Sequence, residues 1–177
     1  MPTCLPGKVD RESGCGSCRS NQAGEASALH SRRVFLFSDS AIPQDVIRAY
    51  LETHYHVHGS APTTLNVGEA NPELSALHKA AGVACSAFIT ACNPFSVGQP
   101  PARNAELQDA LAQTLRQRSL RHIDGIGLHP SNGWQGEASF LVLGMDRDDA
   151  KALGTQFGQN GIVWSGADAV PQLILLR

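Results

Sequence analysis

Val83-Ala84-Cys85-Ser86-Ala87-Phe88-Ile89-Thr90-Ala91-Cys92 runs without a charge into Asn93-Pro94-Phe95-Ser96. An uncharged stretch of that length, opened by Gly82 and closed by an Asn-Pro turn, reads as a central strand over 83–92 covered on both faces. Proline cannot donate to a ladder, so the chain leaves the sheet at Asn93, and the four residues 93–96 are the first place to look for function.

Working back from this strand, Asn71-Pro72-Glu73 combines a capping amide, a proline suited to the first helical position and an acid in the first turn. The helix it opens buries Leu74, Leu77, His78 and Ala81 and ends at Gly82. Before it, His54-Tyr55-His56-Val57-His58 and Thr63-Thr64-Leu65-Asn66-Val67 form a hairpin around Gly59-Ser60-Ala61-Pro62. An earlier helix begins near Pro43, with Val46, Ile47, Tyr50, Leu51 and His54 on one face and Asp45, Arg48 and Glu52 turned outward. Val34-Phe35-Leu36-Phe37 is a short strand or the lead into that helix. Residues 1–33 carry almost no large apolar side chains, too few to offset the entropy of ordering, and read as a flexible tail.

Forward of the strand, residues 93–101 hold three prolines and a glycine and form an arch. A helix follows from about 102–104, burying Leu107, Leu111 and Leu115 and solvating Glu106, Gln108, Asp109, Gln113, Arg116 and Gln117. Strand 121–128 with Gly125 and Gly127, a polar loop over 129–137 and strand 139–145 make a second hairpin. Asp146 caps the next helix, which Gly158 ends. Strand 161–164 and a last strand over 170–176 follow, and Pro171 puts the latter at a sheet edge.

The order strand, helix, strand, strand, helix, strand over 83–164 predicts an α/β (α+β) fold. Its core is a ferredoxin-like split βαβ unit, extended by α-β-β-α on the N-terminal side and an edge strand on the C-terminal side. Residues 34–177 form one domain in this reading, a normal size for one core among 177 residues. The connectivity brings three junctions to one edge of the sheet. They collect Asn93, Ser96, Arg103, Asn104, His129, Trp134, Glu137, Gln159 and Asn160.

A net charge of −2 offers no field for nucleic acid, and no stretch approaches the roughly 20 apolar residues of a membrane helix. The expectation is a cytoplasmic protein without nucleic-acid or membrane partners. The amides Asn93, Asn104, Gln159 and Asn160 suit a polar ligand and equally suit fastening a loop. Glu137 is the candidate general base, and Arg103 suits a phosphate or carboxylate. Ser96, His129 and Glu137 supply the residue types of a nucleophile triad without an elbow or oxyanion-hole sequence, while Trp134 and Phe95 suit stacking on a ring. Metal candidates are His54, His56 and His58 on one strand face, and Cys15 and Cys18, with Cys4 and His30, in the tail. No glycine pattern for a nucleotide cofactor occurs, and the sequence names no cofactor.

Thr90-Ala91-Cys92-Asn93-Pro94-Phe95-Ser96 and Phe157-Gly158-Gln159-Asn160-Gly161-Ile162-Val163-Trp164 stand with Ala49-Tyr50, Thr53-His54-Tyr55, Asn104 and Glu137-Ala138-Ser139-Phe140. Together they resemble a bacterial family of unknown function over about residues 45 to 177. The resemblance implies no activity. That family usually carries an aromatic residue at the position of Cys92 and other residues at His56 and His58, which weakens the metal reading of those histidines. Three expectations result: a site for a small polar or anionic, nucleotide-like ligand, catalytic through Glu137; a regulatory or assembly module, homo-oligomeric through exposed sheet edges; and a metal protein.

Overall fold

Seven strands form one antiparallel sheet in the order β2-β1-β4-β5-β3-β6-β7, built from β1 (His54–Val57), β2 (Thr63–Leu65), β3 (Ser86–Ile89), β4 (His122–Leu128), β5 (Glu137–Leu143), β6 (Gly161–Ser165) and β7 (Pro171–Leu175). The computed structural model describes residues 40–131 and 133–177. The tail, its cysteines and His30, and the run Val34–Phe37 lie outside the described residues. Among the described residues the helices are α1 (Gln44–Glu52), α2 (Pro72–Ala81), α3 (Pro101–Gln117) and α4 (Arg147–Gln156), with a 3₁₀ turn at Pro94–Ser96. The protein is thus mixed α/β, and no described helix is long and apolar enough to cross a membrane.

The strand quoted at the outset is shorter than the apolar run. β3 pairs with β5 and β6 from Ser86 onward and is buried at all four positions. Val83 belongs to the cap of α2: Gly82 takes φ +67°, and the Val83 N–H returns to the His78 carbonyl. At the other end, side chains replace the ladder. Thr90 Oγ1 donates to the Ala138 carbonyl, and the Ala91 N–H donates to Gln108 Oε1. Gln108, expected on a solvated face, is therefore buried, because its amide satisfies backbone that the sheet has released. The middle place in the sheet falls to β5, with β3 beside it.

The two faces of the sheet differ. On one, Leu111 and Leu115 of α3 and Ala150 and Leu153 of α4 pack on Ala87, Ile89, Phe140, Val142 and Ile162. On the other, Leu74 of α2 packs on Phe88, Leu141, Val163, Val57 and Leu65. Burying each of these leucines contributes about 1.5–3 kcal/mol. α2 starts at Asn71, whose side chain accepts from the Leu74 N–H at 2.7 Å, and α4 at Asp146, which accepts from Asp148 and Asp149. α1 ends at Glu52, two residues before the expected stripe runs out, so His54 opens β1 rather than facing inward from the helix. His54 and His58 are exposed and His56 is half-buried, on the side of β1 opposite Tyr55 and Val57; β1 is flanked by β2 and β4 and is not an edge. β2 and β7 are the edges.

Candidate functional site

β3 delivers the chain to a turn held in unusual backbone. Asn93, Phe95 and Ser96 have φ of 47°, 56° and 58°, the left-handed region that costs a side-chain-bearing residue about 1 kcal/mol or more. The turn persists because its neighbours fix it. The Phe95 N–H donates to the Gly158 carbonyl at 2.7 Å, and a Cβ on Gly158 would lie 3.1 Å from Pro94 Cβ. Gly158, itself at φ +67°, closes α4, which is why the α4 exit and the turn meet.

Asn93 is the hub of this junction. Its Nδ2 donates to Glu137 Oε1 at 2.6 Å; its Oδ1 accepts from the Gln99 N–H and Asn104 Nδ2; its own N–H donates to Asn104 Oδ1. Asn104 is the second partner in that reciprocal pair and sits in the first turn of α3. Trp134 Nε1 donates to the same Glu137 oxygen at 3.0 Å. Gln159 Nε2 donates to the Cys92 and Phe157 carbonyls, and Asn160 Nδ2 donates to Ser96 Oγ. The structure therefore brings Asn93, Asn104, Trp134 and Glu137 into one network and Ser96, Gln159 and Asn160 beside it.

Two of the expected residues stand apart. Arg103 pairs with Glu106 at 2.9 Å on the outer side of α3, both more than half exposed, and does not reach the network. His129 has a buried ring, with Nε2 3.3 Å from Glu52 of α1 and Nδ1 accepting from the Ser131 N–H. Ser96 Oγ bonds Tyr50 Oη at 2.5 Å and Asn160, not an imidazole or carboxylate. Among the described residues His129 is hydrogen-bonded to neither Ser96 nor Glu137, so the three do not form a nucleophile–base–acid chain. Among the described residues no cluster of three metal-ligating side chains occurs, the strand histidines included.

Over this junction lies a cleft of about 570 Å³ between α1 and the sheet face that α2 covers at its other end. Register explains the space. Across this face Gly125 stands opposite Ser139 and Gly127 opposite Glu137, and Thr90 and Gly161 continue the floor, so small side chains replace the aliphatic ones found nearer α2. Phe88 also needs a glycine, since a Cβ at Gly125 would come within 2.7 Å of its ring. Tyr55 and Tyr50 close one end, with Tyr55 Oη donating to the Tyr50 carbonyl at 2.7 Å. Burial, with Tyr50 and Glu137 nearby, pushes the Tyr55 phenol far up, so it stays a neutral donor.

Glu137 forms part of the cleft wall, and burial pushes its carboxyl above the usual carboxylate range, while the Asn93 and Trp134 donors pull it back. Both donors go to Oε1; Oε2 accepts no hydrogen bond from any described residue. Burial likewise pushes the neighbouring Cys92 thiol up, which makes it a packing group and not a nucleophile. A second cleft of about 640 Å³ lies on the far side of Asn93, Trp134 and Glu137, along the first turns of α3.

The stretch 89–162 matches the family described as a protein of unknown function, DUF3293. The matched stretch includes Asn93, Asn104, Trp134, Glu137, Gln159 and Asn160 and excludes α1 with Tyr50. No curated protein and no solved structure matches the chain.

Tyr50, Gln108 and Thr90 were not legible as site residues. Tyr50 has the spacing of a core position in α1, and its hydroxyl gave no local signal of the bond to Ser96, 46 residues away. Gln108 stood among polar neighbours on a helix whose buried face was defined by leucines alone.

Proposed function

We propose that the cleft beneath α1 binds a small polar organic molecule, oriented by Glu137, which can also exchange a proton with it. The observation that carries this reading is the half-buried carboxylate in the cleft wall, with one oxygen fixed by Asn93 and Trp134 and the other accepting no hydrogen bond from any described residue. A carboxylate raised toward neutrality and held in place has what a general acid or base needs. Loop fastening accounts for Asn93 and Asn104, whose groups bond each other, but not for an acid brought into a partly dry wall without a cation. Arg103 pairs with Glu106 outside the cleft, so it does not supply the counter-ion for an anionic ligand that its charge suggested. The surroundings of the site support a ferredoxin-like split βαβ unit over residues 86–165: β4-β5-β3-β6 is the strand order such a unit needs, with α3 and α4 as its connections.

A thermal-shift screen against nucleosides, sugars, amines and carboxylic acids tests this, because a molecule that binds only the native state at about 100 times its Kd stabilises it by about 2.7 kcal/mol. The expected result is a compound that raises Tm in the parent protein and not in Glu137→Gln. Compounds that stabilise both proteins equally would remove Glu137 from the role.

The assembly reading rests on a different surface. On the α3 side of the sheet, β4 carries Leu128, 41% exposed, and the half-buried Ile126, outside the core that α3 and α4 build. Sedimentation showing a dimer that Leu128→Lys dissociates would favour it; a monomer at high concentration would remove it.

A further inference from the structure

Resting on the reading of the cleft as a ligand site, we infer that its ligand is an organic cation bearing N–H donors, an amine, amidine or guanidine. A count of donors and acceptors around the cleft leads there. Its deep donor groups are committed to the protein: Asn93 Nδ2 and Trp134 Nε1 to Glu137, Gln159 Nε2 to the Cys92 and Phe157 carbonyls, and Tyr55 Oη to the Tyr50 carbonyl. Among the hydroxyls Thr90 donates to the Ala138 carbonyl and Ser139 to the Glu137 carbonyl, while the Tyr50–Ser96 pair, joined by one mutual hydrogen bond, keeps one of its two protons.

Apart from that proton, what remains is acceptors. Glu137 Oε2 receives nothing, and neither does Gln159 Oε1, although Gln159 is 92% buried, at 8% exposure. Two backbone carbonyls hold the NH₂ end of Gln159, which fixes its oxygen as the free end. Neither oxygen is sealed off from solvent. Water can pair with both, and a ligand that supplies donors takes its place.

Charge and shape agree. At the mouth, α1 adds Asp45, Arg48 and Glu52, two acids to one base, and Glu52 also touches the His129 ring. With Glu137 ionised the cleft is net negative. The indole of Trp134, 44% exposed, and the rings of Tyr55 and Phe88 offer faces for a planar cation. An anion would meet the Glu137 carboxylate, with one hydroxyl proton of the Tyr50–Ser96 pair and Arg48 of α1 set against three acids of the lining.

Calorimetry with benzamidine, benzylamine and benzoate, three compounds of one size that differ in charge and donors, tests the inference on the full chain and on Glu137→Gln. Glu137→Gln keeps the shape of the side chain and an acceptor for Asn93 and Trp134, and a single cooperative melting transition confirms that it folds. The expected result is binding of benzamidine or benzylamine but not benzoate, weakened at least about tenfold by Glu137→Gln. Affinity should fall as pH is lowered, since a protonated Glu137 no longer attracts a cation. Benzoate binding that depends on Glu137 while the cations fail would overturn the cation assignment and leave the cleft as a site. Cation binding that is indifferent to Glu137→Gln, or no binding by any of the three at 10 mM-scale concentration (about 10 mM, a ceiling for weak ligands), would also overturn it; the broader screen then decides separately whether the cleft binds anything.

Discussion

The two faces of the sheet carry the same strands and do opposite things with them. Under α3 and α4, alternate residues of β3, β5 and β6 are aliphatic or aromatic and pack against leucines that are completely buried. On the other face the same pattern holds only beneath α2; toward Asn93 it gives way to glycine, serine, threonine and glutamate, and α1 spans a cleft instead of a core. A face built for stability fills its volume. A face that leaves small residues and an acid where packing was available is the one on which we propose the ligand site.

The contrast is broken most strongly on the packed face. Leu111→Ala, at a completely buried position of α3, should cost about 2–5 kcal/mol in denaturant unfolding, because the surrounding core relaxes only partly into the cavity. Where the protein stays folded, ligand affinity should not change. An equal cost from substitutions on the cleft floor would erase the distinction.

Asn93→Ala comes next. It releases Glu137, the Gln99 N–H and the Asn104 amide together and puts alanine at φ 47°. A loss of about 1–3 kcal/mol is expected, measured the same way. Ligand binding should fall further than stability does, since Glu137 loses its orientation.

Glu137→Gln sharpens the comparison through pH. The native carboxyl holds its proton to higher pH than the unfolded one, so the native state binds more protons in the window between the two and the parent protein loses stability as pH rises through it. The glutamine variant has no such dependence. The difference in Tm, variant minus parent, should therefore be greatest at neutral pH and shrink as pH falls below the ordinary carboxylate range. A difference independent of pH would mean that Glu137 titrates normally.

Gly127→Ala should have the smallest effect on stability, within about 0.5 kcal/mol, because the nearest atom to the added Cβ is Thr53 Cγ2 at 3.7 Å. It nevertheless narrows the cleft, and weaker ligand binding without a change in Tm is the expected pattern.

Much of this was legible in the residues. Asn71-Pro72, Gly82, Asp146 and Gly158 mark helix ends through local chemistry, and the structure places caps at each. The meeting of the Asn93 turn with the Gly158 exit followed from connectivity. What failed was long-range hydrogen bonding. Residues 83–85 and 90–92 are as apolar as a strand, yet the N–H groups of Val83, Ala91 and Cys92 go to the α2 cap, to Gln108 and to Thr90, partners that no periodicity announces. Arg103 failed for the converse reason: its place in the sequence beside Asn104 says nothing of which side of α3 it takes, and Glu106 one turn on holds it outside.

The most direct test is the titration of the Glu137 side-chain carboxyl, followed by carbon NMR with and without benzamidine. A carboxyl held by Asn93 and Trp134 in a partly dry wall should titrate above the usual carboxylate range in the free protein and move down when the cation binds. A midpoint at or below the usual range, unmoved by benzamidine, would contradict the account.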